Sequence, residues 1–399
     1  MKPQFFRKVL KNGMTVLLEK RDLPIVSVAI ATKYGGIHES ANERGIAHFI
    51  EHMLYKGTKK RTAKQIAEEI EKNGGELNGF TSETMTAFWC KMPSKHLDIA
   101  LHVLSDMAKN PLFDSRETEK ERKVIFEEMK IYHDTPAHYV FEKIQEMLYD
   151  GMLKIPLIGT HETMNSIDSK KLLIKFKESY QPNNLVLCVV GEADFSKILK
   201  FAEKNFGNEK GLLKRQEIIL KNETKIETRK GIDQANMVLA FHSPLSTDKK
   251  VYAAEVLMAM MGEGMSSRLF QEIRAKRNLA YSIHGALNSC KFFSYSNVYV
   301  GCLKENVEKV KKLILDEFEK VSKELTEKEL NQVKEQLIGN YYISMEDSAL
   351  HMHKLISSEV DDDVEEFYKY EKNINTVKLE NVKKLAKIKE YSFFALVPE

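Results

Sequence analysis

The sequence predicts an α+β protein built from two homologous domains, each an antiparallel sheet covered by helices. Three observations carry that expectation. The 399 residues exceed what one hydrophobic core usually organises, so two domains of roughly 200 residues each are expected. Segments with a two-residue apolar period and segments with a 3.6-residue period follow one another along the whole chain. The order of those segments then repeats at an offset of about 210 residues.

The stretches 14–19 and 27–32 alternate as strands do, and a helix follows, bracketed by the capping pattern Ser40-x-x-Glu43 and by Gly57. A second capping box, Thr62-x-x-Gln65, opens a helix that ends at Asn73-Gly74-Gly75, and strands continue through Phe80 and from Phe88 to Met92. Helices are expected near 94–109, 114–132, 137–149 and 169–179, then a strand over 185–190 and a helix over 194–205. The second half offers strands at 225–229 and 237–241, two helices, further strands, helices near 305–321 and 326–342, and a strand at 393–397. The domains are accordingly placed at 1–206 and 223–399, with the charged stretch 207–222 as linker.

Composition narrows the function. With 43% apolar and 30% charged residues and no Pro-, Ser- or Gln-rich tract, the chain reads as ordered and globular. The 61 basic and 58 acidic side chains are interspersed, so nothing resembles the footprint of a nucleic-acid or anionic-lipid binder. The N-terminus, from Met1 to Lys8, places charges on both sides of Phe5-Phe6, where a secretory signal needs a continuous apolar stretch of about 7–15 residues. The apolar run 185–190 is far below the ~20 residues of a membrane helix. Cys90, Cys188, Cys290 and Cys302 are widely spaced and read as free thiols of a reducing compartment. The Lys-rich composition and lack of a targeting segment point to a bacterial cytoplasmic protein.

The chemistry concentrates in His48-Phe49-Ile50-Glu51-His52. On a helix His48 and His52 project to one side with Glu51 beside them. Neutral imidazoles suit Zn²⁺, and a neighbouring carboxylate that does not occupy the open metal position can deprotonate water. The bland alternative is a chance spacing on an amphipathic helix. The equivalent stretch of the second half, 251–261, has no histidine.

A catalytic zinc needs a third protein ligand. Projecting the helix after Asp114-x-x-Glu117 at ~100° per residue puts Val124, Ile125, Met129 and Tyr132 on one arc, with Glu121 and Glu128 inside it and Glu127 pointing away. Zinc would compensate the cost of burying Glu128, and Glu121, one heptad earlier, could orient a ligand. Periodicity alone leaves partly exposed or salt-bridged glutamates at least as good a reading. His133 and His138 are second-choice ligands, and His351-Met352-His353 reads as surface.

His-x-x-Glu-His is the inverted form of the thermolysin-type zinc motif. Its surroundings, from Gly45 through His48-Phe49-Ile50-Glu51-His52-Met53-Leu54-Tyr55-Lys56-Gly57 to Thr58, resemble the pitrilysin/insulinase family, in particular mitochondrial processing peptidase and its bacterial relatives. The resemblance implies one zinc per chain held by His48, His52 and Glu128, with Glu51 as general base and Glu121 behind a ligand. The position matching Glu128 in the second half is Asn340, which implies a single site per chain.

The stretch from Ser266 to Tyr281 is similar to the segment with which the family clamps substrate, and Arg274 and Tyr281 carry that pair. Asn78-Gly79-Phe80-Thr81-Ser82 resembles the edge strand that pairs with an extended peptide, which makes Asn78, Phe80 and Thr81 substrate-contacting candidates. The run from Met152 to Leu157 departs from the family's His-Pro-Leu-Gly-Arg-Pro pattern. In related two-chain enzymes the zinc motif and the Arg/Tyr pair face each other across a closed chamber. One chain with both implies a homodimer whose sites are completed in trans, hydrolysing unfolded peptides. The competing implication is a non-catalytic partner or scaffold subunit of the same fold.

Overall fold

The computed structural model describes residues 4–362 and 364–399; Met1 to Pro3, part of the N-terminal stretch read above, lie outside the described residues. In chain order the strands are β1 (Gln4–Val9), β2 (Thr15–Lys20), β3 (Ile25–Thr32), β4 (Glu76–Thr81), β5 (Thr86–Pro93), β6 (Tyr149–Gly151), β7 (Leu185–Gly191), β8 (Ile218–Leu220), β9 (Thr224–Arg229), β10 (Ala235–His242), β11 (Ala280–Ser289), β12 (Ser294–Cys302) and β13 (Ser392–Pro398). The helices that matter below are α1 (Ile46–Leu54), α2 (Ala63–Glu71), α3 (Leu97–Met107), α4 (Ser115–Asp134), α5 (Pro136–Leu148), α6 (His161–Ser166), α7 (Ser169–Ser179), α8 (Phe195–Asn205), α9 (Val251–Gly262), α10 (Val307–Glu324), α11 (Glu327–Ser344) and α12 (Ser348–Val360).

The first compact unit comprises Met1–Met129, Ile155–Glu217 and Ser344–Val364. Its six-stranded sheet has the order β1-β2-β7-β3-β5-β4, antiparallel except for the parallel pair β2 and β7. The central strand β7 is Leu-Val-Leu-Cys-Val-Val-Gly and buried throughout, an unbroken apolar run of the kind a sheet covered on both faces requires. Helix α12 packs on β3 and β7, whereas α1 packs on β4 and β5. The two helices cover opposite faces: Phe80 lies against His353 of α12 and its neighbour Thr81 reaches Glu51 of α1, and successive strand residues point oppositely.

The second unit comprises Lys130–Lys154, Ile218–Ile343 and Glu365–Glu399. Its sheet runs β11-β12-β10-β13-β9, again antiparallel but for one parallel pair, β13 and β9. This is the order β4-β5-β3-β7-β2 of the first unit, including the place of the parallel pair, so the duplication inferred from periodicity is present in the strands. Each sheet is thus the expected antiparallel one but for a single parallel pair. Helix α9 packs on β11 through a glycine contact: a Cβ on Gly262 would collide with the backbone of Gly285.

Helices α5 and α12 are equivalent, each thirteen residues long. Each covers the sheet of the other copy: α5 packs on β10 and β13 of the second unit, and α12 on the first. The domain bounds expected from sequence, 1–206 and 223–399, follow the chain, whereas the compact units exchange this helix. Within the expected linker, β8 pairs with β6.

The histidine-bearing helix also starts later than its capping pattern suggested. Ser40 Oγ does bond Glu43 Oε2, at 2.8 Å, but within a separate 3₁₀ turn, Ala41–Glu43. Cys90, Cys188 and Cys302 are buried free thiols and Cys290 is partly buried. Among the described residues no helix is long and apolar enough to cross a membrane.

Candidate metal centre

Helix α1 buries Ile46, Ala47, Phe49, Ile50, Met53 and Leu54, which leaves His48, Glu51, His52 and Tyr55 along its other side. Its N-cap is Gly45, at φ +94°, a conformation that suits glycine and offers no capping side chain. Glu39 caps the helix instead: Oε2 accepts from the Gly45 N–H at 3.0 Å and Oε1 from the Ala47 N–H at 2.8 Å. The fully buried Arg44 guanidinium lies 3.4 Å from Glu39, donates to both carboxylate oxygens of Glu83 at 2.9 and 2.6 Å, and donates to the Ile155 carbonyl at 2.9 Å. Since Glu83 sits in the turn of the β4–β5 hairpin, one arginine ties that hairpin to the start of α1. Burial outweighs Arg44 and the two N–H donors and raises the Glu39 carboxyl to about 7.

His48 Nε2 and His52 Nε2 stand 3.7 and 3.5 Å from Glu128 Oε2, and the donor atoms of all three residues lie within 4.8 Å of one another. Two imidazoles and a carboxylate, converging from two helices, are the donor set and spacing of a catalytic zinc site. His52 Nδ1 meets Glu121 Oε2 at 3.2 Å, and Lys56 Nζ meets Glu121 Oε1 at 2.6 Å. The Glu121 contact orients the ring so that Nε2 faces the other donors, the outer-shell arrangement of histidine ligands. These residues therefore fit the ion.

The two histidines are pushed apart in basicity. Burial and the neighbouring His52 bring His48 down to about 4, keeping it neutral. Burial opposes the charge on His52 too, but its bonds to Glu121 and Glu128 prevail and raise it to about 9. Glu51 accepts a 2.6 Å hydrogen bond from Thr81 Oγ1, and its pKa is raised because burial outweighs that bond.

The structure thus brings together His48, Glu51, His52, Glu121, Glu128 and Thr81. Of the α4 arc, Glu121 and Ile125 are buried while Val124 is exposed. Thr81 faces Glu51, Phe80 packs under the sheet against His353, and Asn78 Oδ1 accepts from its neighbour Gly79 N at 2.8 Å. Arg274 and Tyr281 belong to the second unit, the first with its guanidinium 5.0 Å from the Phe270 ring, the second 62% exposed on β11.

His133 and His138 are outside the donor group. His351, expected at the surface, is buried and bonds Glu19 Oε2 at 2.6 Å, because α12 lies in the core of the first unit. Sequence reasoning missed Glu39, Arg44 and Glu83. The one signal was Gly45 before a helix with no side chain to cap it.

Residues 15–161 match the model of Insulinase (Peptidase family M16), and residues 166–337 match that of the Peptidase M16 inactive domain. A Rickettsia felis protein named an uncharacterized zinc protease is 34% identical over 358 residues, 87% of this chain and 85% of its own. The chain belongs to peptidase family M16. A second M16 relative, the uncharacterized zinc protease YmxG of Bacillus subtilis, is 32% identical over 345 residues, covering 85% of this chain and 84% of its own. The fold of this M16 chain is also that of a Helicobacter pylori protease, with a TM-score of 0.92 at 23% identity over 99% of this chain and all of the other. A Pseudomonas fluorescens M16 inactive-domain structure scores 0.89 at 18% identity, covering 100% of this chain and 99% of that one.

Proposed function

We propose that this M16 chain is a zinc-dependent endopeptidase acting on extended peptides. The observation that carries the reading is the convergence of His48, His52 and Glu128 beside a carboxylate, Glu51, held by its own hydrogen bond from Thr81. Zinc bound there, one ion per chain, supplies Lewis-acid polarisation of a carbonyl and makes water more acidic. Glu51 takes the proton from the attacking water and delivers it to the leaving amine, a role favoured by its raised pKa.

Strand β4 offers the substrate a place. It ends its sheet, and the Ser82 N–H bond to the Met85 carbonyl closes its hairpin. Hydrogen-bonded pairs then alternate back through Phe80↔Ala87 and Asn78↔Trp89, which directs the backbone groups of Leu77, Gly79 and Thr81 to the open edge. An extended peptide can pair there, and a folded one cannot. Arg274 and Tyr281 would grip peptide carbonyls and the developing oxyanion from the second unit of a partner copy, in a homodimer enclosing a chamber. The free thiols fit a reducing cytoplasm.

The test is Glu51→Gln. Peptide cleavage should fall by about 10²–10⁴-fold with zinc content unchanged, and full activity in the zinc-loaded variant would refute the assignment. Metal analysis separates enzyme from scaffold, which would take up no zinc on supplementation.

A further inference from the structure

Tyr55 follows the last residue of α1 and turns its ring beneath the edge strand, where it packs against Phe88 with centroids 5.8 Å apart. Its hydroxyl oxygen is enclosed and bonds to no protein group among the described residues. Gly79 makes room for it. A Cβ at that position would collide with the Tyr55 hydroxyl and the Ala87 carbonyl oxygen and would stand 3.2 Å from Glu51 Oε1. The phenol oxygen and one oxygen of the base therefore converge on the single spot of the active-site edge strand that carries no side chain. Glu51's other oxygen, Oε2, is the one held by Thr81.

The chemistry of the pair is donor and acceptor. Burial, and then the charge of Glu51, hold the Tyr55 phenol far above its ordinary range, so it stays protonated and can donate. A second enclosed hydroxyl without a protein partner, Tyr180, flanks Phe88 with centroids 6.5 Å apart. Its ionisation is opposed by burial, then by Glu51 and Tyr55. A polar site where a hydroxyl and a carboxylate oxygen converge beside the backbone of Gly79 suits a bound water with two or three partners.

Building on the peptidase reading, we propose that Tyr55 is a positioning residue for the general base: one water lodged beside Gly79 joins its hydroxyl to Glu51 Oε1. The carboxylate is then fixed at both oxygens, by Thr81 directly and by Tyr55 through the water, and cannot rotate away from the reacting centre. Gly79 follows as a requirement of the same device, since any side chain there displaces the hydroxyl.

Tyr55→Phe removes one oxygen and preserves the packing. In the zinc-loaded full chain it should lower kcat about tenfold, with KM and zinc content unchanged. Gly79→Ala should lower kcat at least as much, since its Cβ also meets the Ala87 carbonyl oxygen, and the double variant should fall no further than Gly79→Ala alone. An activity-free readout accompanies these: the urea midpoints of Tyr55→Phe, Glu51→Met and their double, whose shifts should be non-additive if hydroxyl and carboxylate are joined. Wild-type kcat in Tyr55→Phe, or additive midpoints, would overturn the proposal. A wild-type chain that cleaves no peptide would instead defeat the peptidase reading, and the urea cycle would still decide on Tyr55.

Discussion

The ring of His52 carries a division of labour between its two nitrogens, one toward Glu121 and one toward the metal donors. Removing the charge of Glu121 should loosen that orientation, so Glu121→Gln is expected to weaken zinc affinity about 10–100-fold in a chelator-competition titration, and an unchanged affinity would refute the role. Arg44 presents the opposite case, a buried cation whose worth lies in what it neutralises. Arg44→Met leaves Glu39 and Glu83 facing each other without it, and should cost about 3–5 kcal/mol of unfolding free energy in denaturant. A loss below about 1 kcal/mol would show the carboxylates to be satisfied by other means. At this scale the sequence is a good guide only within one element. His48, Glu51 and His52 are neighbours on one helix, so helical geometry alone assembles them. Glu128 was ambiguous on its period, and its nearness to the histidines was suggested by family resemblance. The bond from Thr81 to Glu51 joins elements thirty residues apart and has no trace in any spacing.

At the scale of the element, α1 depends on a cap that titrates. Glu39 has a folded-state pKa raised from 4.5 to about 7, so the native state holds its proton more tightly than the unfolded chain. Its contribution to stability is complete below about 4.5 and is lost as pH rises through about 7, since between those values the native state binds more protons. Wild-type stability should therefore decline across that window relative to Glu39→Gln, which keeps an acceptor for one N–H and does not ionise. Parallel stability profiles for the two proteins would refute this. The capping box at Thr62 was readable and correct, with Thr62 accepting from Gln65 N as its pattern requires. The box at Ser40 was readable and misleading. Its hydrogen bond forms, but Gly45 interrupts the chain before the helix, and a local pattern carries no information about a later break.

At the scale of the molecule, the duplication was legible as a repeated order of segments along the chain, and the ownership of the helices was not. Equivalent helices α5 and α12 each present an apolar stripe, and a stripe says that a helix is covered without saying by which sheet. A fragment ending at Glu217 would leave the α12-facing side of β3 and β7 bare. It is expected to bind ANS and to unfold without a cooperative transition, and joining residues 344–364 to it through a flexible linker should restore both properties. Cooperative unfolding of the bare fragment would show that α12 is dispensable.

That same helix sets a timetable for synthesis. The strands of the first sheet are all translated by Gly191, yet the helix that closes one of its faces begins at Ser348. At about 5–20 residues per second the ribosome keeps the half-covered sheet waiting on the order of ten seconds, longer than most domains need to fold. In that interval an apolar face is open to chaperones or to a neighbouring nascent chain. Burial of that face thereby waits until the strands of the second sheet through β12, which ends at Cys302, have been made.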